Sequence, residues 1–311
     1  MMSCVLREAV SNSALAAEAI EPSRYQTFLI LSAGAVGALA FAFSDSFWFN
    51  AVEGEVYAMS ALCTAAVVWI MLKWEAHANE PDSDKWLILI AYVIGLSIGV
   101  HLLNLLTLPA LGFIYYYRRT ANPSVKGGLI VMVVSMVIVG SILVGIIPGL
   151  PTLAGNFEVF FINTVGLPFN SGLFIFLVVF IGLIWFGFRL SFQRRSQLLN
   201  TAMLAFVFIL IGYSSYLIVP IRSSFQPTIN ENDPEDVLSF VSYLKREQYG
   251  SRPLLYGPQF NSRPDRYEEG APRYARDPKT NTYREILPRQ QEPGYRDEDK
   301  MLLPRIYSYE P

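Results

Sequence analysis

Two carboxylates separated by one residue, Glu53 and Glu55, are the side chains whose type and position first suggest chemistry. They lie between two apolar stretches, where we expect the chain to meet a membrane surface. A reaction with a lipid-linked donor needs a carboxylate to take a proton from an acceptor hydroxyl, and polar or cationic groups to hold the departing phosphate. Either glutamate could supply the first requirement. On a helix the two would point about 200° apart, so only one could face a shared cavity; the alternative is a pair of solvated glutamates capping the next helix.

A polar stripe, Ser97, His101 and Asn104, is the second candidate, because the spacing i, i+4, i+7 places all three on one face of a helix. Polar groups are costly in an apolar helix, so the stripe should face protein or water. His101 and Asn104 are therefore candidate substrate-binding residues, with His101 able to bind a phosphate or orient an acceptor. The alternative is an interhelical hydrogen bond, favoured by the small residues Gly95 and Gly99, whose spacing permits close helix packing.

An isolated cation, Arg222, ends the last apolar stretch and is a third candidate for substrate binding. It could hold an anionic phosphate or meet a lipid headgroup. The sequence has two histidines, and neither lies beside a Cys or carboxylate cluster at ligand spacing, so no metal site and no cofactor is predicted. Cys4 and Cys63 lie in different settings and are expected to be free thiols.

The elements that would position these residues are apolar segments long enough to cross a membrane. Hydrophobic residues make up 52% of the chain and charged residues 16%, as lipid-facing helices require. No sustained basic patch interleaved with aromatics is present, so a nucleic-acid partner is excluded. We predict an all-α, multi-span helical bundle whose apolar stretches are 27–47, 56–72, 86–117, 127–147, 172–188 and 200–221.

The stretch 86–117 is too long for one span, and the charges around it indicate a hairpin of two short helices. A single span would separate Arg118 and Arg119 from Lys73 and Lys85, against the bias of cationic loops toward the cytoplasm. A hairpin brings these loops to one side and gives about seven spans. We then expect residues 1–26 to be a polar cytoplasmic lead-in, 27–221 the membrane bundle and 222–311 an irregular extracytoplasmic segment.

Two local features refine this outline. Asp233-Pro234-Glu235-Asp236 precedes a short apolar stripe and predicts an amphipathic helix. The loop 151–170 is apolar enough to lie flat in the membrane interface.

The stretch from Phe47 to Ser60, FWFNAVEGEVYAMS, resembles a signature of a bacterial family of protein O-mannosyltransferase-like membrane proteins, glycosyltransferase family 117. The resemblance covers most of residues 30–260. It continues through the segments WLILIAY, GLSIGVHLLN, GLPFNSG, IGYSSY, SYLKREQYG and RPL, which lie between residues 86 and 254.

The resemblance implies a GT-C fold whose site lies on the outer face and takes a sugar from a polyprenyl phosphate. It further implies an extracytoplasmic protein or glycan as acceptor, membrane lipid around the bundle, and a bacterial inner membrane location. Members of the family usually carry an acidic Trp-Asp-x-Gly-Glu-Phe-like motif, and this sequence lacks it. We therefore expect an internal piece of a longer protein, in which Glu53, Glu55, His101 and Arg222 support a cavity rather than supply the general base.

Two other functions remain open on the sequence. A transporter or lipid-handling protein would use the stripe of Ser97, His101 and Asn104 to line a substrate path. A noncatalytic membrane scaffold would fit the missing acidic motif. The sequence thus predicts a partial glycosyltransferase without establishing that the chain is an enzyme.

Overall fold

A computed structural model describes residues 22–249, 253, 255–259, 261–277, 279–289 and 291–304. Most of the predicted lead-in, including Cys4, lies outside the described residues. The chain divides into two compact units that alternate along the sequence. Unit 1 contains the described residues up to 141 together with 184–217, and unit 2 contains 142–183 together with the described residues from 218 onward.

The helices account for most of the described chain up to residue 245. Their bounds are α1 Arg24–Ala42, α2 Asp45–Val52, α3 Val56–Ala76, α4 Asp84–Ile98, α5 Leu108–Arg119, α6 Val125–Gly140, α7 Leu150–Asn163, α8 Ser171–Arg194, α9 Gln197–Tyr213, α10 Ile218–Ser223 and α11 Val237–Lys245. A 3₁₀ turn, Leu102–Thr107, separates α4 from α5, and a π-helix, Ser141–Gly149, joins α6 to α7. Further 3₁₀ turns are Ser214–Leu217, Glu247–Tyr249 and Asp297–Asp299.

Five helical segments within the described residues are long and apolar enough to cross a membrane by length and composition. They are Arg24–Ala42, Val56–Ala76, Val125–Asn163, Ser171–Arg194 and Gln197–Ser223. The predicted membrane-helical character is therefore confirmed. Seven spans are not confirmed, because α4 and α5 have 15 and 12 residues, whereas a span needs about 20.

The predicted hairpin is present, and its two ends meet within unit 1. Arg119 at the end of α5 lies 3.8 Å from the Asp84 carboxylate at the start of α4. Thr201 and Gln197 of α9 donate to the other oxygen of Asp84, at 2.7 and 3.1 Å. These contacts bring the loop before α4, the end of α5 and the start of α9 to one end of unit 1, which we call the basic end.

Helices α4 and α9 are packed closely through two glycines. A Cβ on Gly95 would lie 2.3 Å from the Ile209 carbonyl oxygen, and one on Gly212 would lie 2.5 Å from the Tyr92 carbonyl oxygen. Close packing at Gly95 is what the small-residue pattern favoured. The partner surface on α9 was not identified from the sequence.

In unit 2, the segment 151–170 is largely helical, which corrects its assignment as a loop; its location in the membrane interface stays a prediction. Helix α7 occupies Leu150–Asn163, and the preceding π-helix contains Pro148. Pro148 and Pro151 both lie inside the continuous helical segment Val125–Asn163.

The amphipathic helix expected after the acidic stretch is confirmed as α11. The Asp236 carboxylate accepts from the backbone N–H groups of Leu238 and Ser239, at 2.8 and 2.9 Å, and so caps the helix. Phe240 and Val241 are buried. Gly155 of α7 approaches α11, since a Cβ there would lie 2.9 Å from Leu238.

The region after α11 was predicted to be irregular, and the structure corrects this. Three antiparallel strand pairs are nested along one ribbon: β1 Tyr256–Pro258 with β6 Lys300–Leu302, β2 Arg266–Glu269 with β5 Gln291–Gly294, and β3 Tyr274–Asp277 with β4 Thr282–Glu285. The strands have three or four residues each, and β2 is exposed along its whole length. Such strands show no alternation of apolar and polar residues, so periodicity could not reveal them.

Candidate functional site

The two predicted carboxylates lie in a turn between helices rather than on one helix. Glu53 ends α2, Gly54 has a φ of +72°, and Glu55 directly precedes α3. Both glutamates are exposed, and the Glu55 side chain makes no capping hydrogen bond. The expected angle of 200° therefore does not apply, and the exposed turn is compatible with both the solvated and the functional interpretation.

His101 lies beside this turn, because its ring is 5.4 Å from the ring of Tyr57 in the first turn of α3. The helix carrying the predicted stripe ends at Ile98, and His101 has an extended backbone with φ −163° and ψ 141°. Its Nδ1 accepts from the backbone N–H of Leu103 at 3.1 Å. In the neutral ring the proton therefore lies on Nε2, which leaves an N–H as the free donor.

The side-chain amide of Asn104 forms hydrogen bonds inside the bundle, with residues other than His101. Asn104 has no exposed surface; its Nδ2 donates to Ser97 Oγ at 2.9 Å, and its Oδ1 accepts from Thr64 Oγ1 at 3.2 Å. Ser97 Oγ in turn donates to the Ile94 carbonyl at 2.8 Å. These bonds join α3, α4 and the 3₁₀ turn, which is the interhelical alternative. A substrate-binding role for Asn104 stays a prediction.

Arg222 belongs to unit 2, where it is exposed in the last turn of α10. The residues that the structure brings together in unit 1 are thus the turn of Glu53 and Glu55 with Tyr57 and His101. Among the described residues, no group of three or more His, Cys, Asp or Glu side chains is arranged to hold a metal ion.

A carboxylate that the sequence reasoning did not select is the centre of a second polar cluster, in unit 2. Glu158 on α7 has no exposed surface. Its Oε1 accepts from the Asn170 backbone N–H at 2.6 Å and its Oε2 from the Leu173 N–H at 3.0 Å, so it caps the start of α8. The approach depends on Gly172, where a Cβ would lie 2.4 Å from Glu158 Cα.

The third donor to Glu158 comes from the β ribbon. Tyr283 OH donates to Glu158 Oε1 at 3.2 Å and accepts from Arg276 Nε at 3.1 Å. Burial raises the pKa of Tyr283 to about 12, with Arg276 opposing the shift. The Arg276 guanidinium also donates to Asn170 Oδ1 at 2.9 Å and lies 5.3 Å from the Phe169 ring. Glu158 is thus held by three donors and serves as an anchor rather than as a free base.

Two hydrogen bonds between the Asn163 side chain and the Tyr283 backbone also connect α7 to the β ribbon. Asn163 Nδ2 donates to the Tyr283 carbonyl, and its Oδ1 accepts from the Tyr283 N–H, both at 2.8 Å. The amide thereby pairs with the edge of β4 as a neighbouring strand would. Glu158 and Asn163 together fix the β ribbon to α7 within unit 2.

One signal in the sequence could have found Glu158. It is a single ionisable residue in the apolar segment 151–163, and such residues are rare unless a partner compensates them. The partner could not have been found in this way, because Tyr283 lies 125 residues later among many exposed polar side chains.

Comparison with known families gives two matches, one at each end of the chain. Residues 2–124 match the model of the family described as the protein O-mannosyl-transferase TMEM260 N-terminal domain. Residues 250–311 match a family of unknown function, DUF8416. No curated protein and no solved structure matches this chain.

The first match includes Glu53, Glu55, His101 and Asn104, and it ends before Glu158 and Arg222. It supports a protein O-mannosyltransferase-like family, as the sequence resemblance implied. The match and the five apolar helices together indicate an integral membrane protein. The second match includes the β ribbon, with Arg276 and Tyr283.

Proposed function

We propose that this protein belongs to a membrane glycosyltransferase of GT-C type, which transfers a sugar from a polyprenyl phosphate to an extracytoplasmic protein or glycan. The observation that carries the proposal is the match of residues 2–124 to an O-mannosyl-transferase domain. It makes mannose the first sugar to test. A bacterial inner membrane is the proposed location, from the sequence resemblance.

The chemistry assigned to the site is displacement at the anomeric carbon. The acceptor oxygen forms a bond to that carbon and passes its proton to a general base, while the bond to the phosphate oxygen breaks and the polyprenyl phosphate leaves with the electron pair. His101 is proposed to donate a hydrogen bond from its Nε2–H to the phosphate. The Tyr57 ring, whose centroid is 5.4 Å from that of His101, is proposed to support the imidazole. The resemblance places the general base in an acidic motif that this sequence lacks, so Glu53 and Glu55 are proposed as supporting carboxylates. Arg222 is proposed, from its place in the sequence, as an outer cation for the donor.

A transport path along the polar stripe is less well supported. Ser97 and Asn104 are buried and bonded to each other, and His101 has left the helix. Among the described residues, the stripe therefore presents no continuous polar face.

The proposal is tested by adding labelled polyprenyl-phosphate mannose to membranes that contain the full-length protein, with the acidic motif that the resemblance implies, and measuring label in protein or glycan. His101→Asn keeps an acceptor for the Leu103 N–H but removes the Nε2 donor. We expect transfer to fall about tenfold or more. His77→Asn is the matched control, because His77 ends α3 at the basic end. Absence of transfer by the unmodified full-length protein would reject the proposed function.

A further inference from the structure

A cavity of about 470 Å³ in unit 1 runs along α5 at the basic end. Helices α3, α4, α5 and α6 form its wall, and nearly all of its lining is apolar. The lining residues include Leu108, Leu111, Tyr115, Arg119, Ile130 and Val134. The volume is within the range of about 300–1,000 Å³ that small-molecule sites occupy.

The cavity is lined along the whole length of α5. It is lined from Leu108 at the first residue of α5 to Arg119 at the last, which is about 16 Å at 1.5 Å per residue. Ile130 and Val134 of the lining are 55% and 51% exposed, so the cavity is an open groove. An apolar groove that follows a helix fits a hydrocarbon chain. Gly112 forms part of its floor, where α5 and α6 approach so closely that a Cβ would lie 2.5 Å from Ser135 Oγ.

A cation and two aromatic rings lie at the Arg119 end of the cavity. Trp74 stacks on Tyr115 with ring centroids 5.1 Å apart, and the Arg119 guanidinium lies 5.6 Å from the Trp74 ring. Trp74 is fully buried and Tyr115 lines the cavity, so the two rings fix Arg119 at the last residue of α5. A guanidinium at the end of an apolar cavity is complementary to a phosphate that carries a hydrocarbon chain.

The contacts of Arg119 leave this charge accessible. Asp84 is 3.8 Å away, and its second oxygen accepts from Thr201 and Gln197. Arg119 also donates to Ser83 Oγ at 3.5 Å, and 38% of its side-chain surface is exposed. A guanidinium has five N–H donors, so these long contacts leave capacity for a phosphate.

We propose that this cavity is a binding site for an anionic phospholipid, with one acyl chain along α5 and the phosphate at Arg119. The site lies at the basic end, whereas the turn of Glu55 and His101 lies at the other end of α3. The lipid is therefore distinct from the sugar donor of the proposed function. Binding does not depend on that function and is measured without it.

The test uses the purified full chain in a neutral detergent, with phosphatidylglycerol or phosphatidylcholine of the same acyl chains added before native mass spectrometry. We expect one phosphatidylglycerol adduct, retained several-fold better than phosphatidylcholine. Arg119→Gln should abolish this preference, and Arg119→Lys should preserve part of it. Arg194→Gln, which removes an exposed cation at the last residue of α8, should leave the preference unchanged.

A second pair of variants tests the cavity itself. Val134 lines the cavity, so Val134→Phe should lower retention of both lipids several-fold. Val133, the preceding residue on α6, is 61% exposed and does not line it, so Val133→Phe should have no effect. The proposal would be overturned if the unmodified chain bound the two lipids equally. It would also be overturned if Arg119→Gln and Arg194→Gln had equal effects, or if Val134→Phe and Val133→Phe had equal effects.

Discussion

At the scale of single residues, Glu158 shows how a carboxylate is kept inside an apolar segment. Two backbone N–H groups and a phenol donate to it, so its buried oxygens are compensated. The exposed Glu53 and Glu55 are in the opposite situation, with no such donors fixing their side chains in the described structure. Burial with full hydrogen bonding indicates a structural anchor, and exposure beside His101 leaves room for a substrate.

Replacing Glu158 by Gln should destabilise the protein by about 1–3 kcal/mol, because an amide group would face backbone donors that now meet a carboxylate oxygen. Denaturant unfolding of the full chain in detergent measures the change. Glu231→Gln is the control, since Glu231 is exposed. Equal stability of the two variants would show that Glu158 is not an anchor.

Tyr283 predicts a loss of stability in alkaline solution. Its pKa rises from 10.0 in the unfolded chain to about 12 in the folded protein. A raised pKa means that the folded state holds the proton more tightly, so this contribution is complete below pH 10 and is lost between pH 10 and 12. The unfolding temperature should fall over this range.

Tyr283→Phe should be less stable than the unmodified protein at pH 8, because the Glu158 carboxylate loses a donor. It should then lose less between pH 10 and 12, since no phenol ionises at that position. Tyr267→Phe, at a tyrosine that is 67% exposed, should follow the unmodified protein at both pH values. A parallel decline in Tyr283→Phe would contradict the assigned pKa.

At the scale of elements, the contact between α4 and α9 depends on the absence of side chains. The Cβ positions at Gly95 and Gly212 are filled by backbone of the facing helix. Backbone cannot move aside as a flexible side chain can, so even one methyl group must separate the helices. The hydrogen-bonded Ser97 and Asn104 lie along the same part of the bundle.

Gly95→Ala should therefore destabilise the protein by about 1–3 kcal/mol. Gly140→Ala is the control, because Gly140 ends α6 and has open space around its Cβ position. Thermal unfolding in detergent measures both. A loss at Gly140 equal to that at Gly95 would show that intrinsic helix properties, and not the contact, determine the result.

The elements also show which parts of the fold could be predicted from the sequence. The apolar helices, the hairpin and the capped helix α11 each have a local signal, which is apolar length, charge placement or an acidic first turn. The β ribbon has no such signal, because its strands are short and pair across as many as 46 residues, as Tyr256 does with Leu302. Pairing over that distance depends on contacts such as Asn163 with Tyr283, which no single segment encodes.

Some features of the candidate site could likewise be predicted from the sequence, and others could not. His101 was selected from the sequence because polar groups are costly in an apolar segment. It was assigned to one helical face with Ser97 and Asn104, but that face continues past the end of α4. The helix ends at Ile98, and this alone moves His101 toward Tyr57. Helix ends are set by tertiary contacts as well as by local sequence, and the stripe was drawn to Asn104, six residues past the end of the helix.

At the scale of the whole molecule, the proposed orientation places the turn of Glu53 and Glu55 outside the cytoplasm and the loop after α8 inside. The test is a cysteine at position 53 or 194 in a chain whose Cys4 and Cys63 are replaced by serine. An impermeant thiol reagent added to intact cells should label Glu53→Cys and leave Arg194→Cys unlabelled until the membrane is opened. The reverse result, or equal labelling of both, would remove the physical basis for extracytoplasmic sugar transfer.

The distance along the chain between Glu158 and Tyr283 has a consequence for how the protein is made. Synthesis proceeds at about 5–20 residues per second, so the 125 residues between them take roughly 6–25 s. During that interval the ribosome has delivered the carboxylate and its two backbone donors, 12 and 15 residues away, but not the phenol. Glu158 is therefore made before its third hydrogen-bond donor exists, and the bond from the Tyr283 hydroxyl can form only after residue 283 has been synthesised.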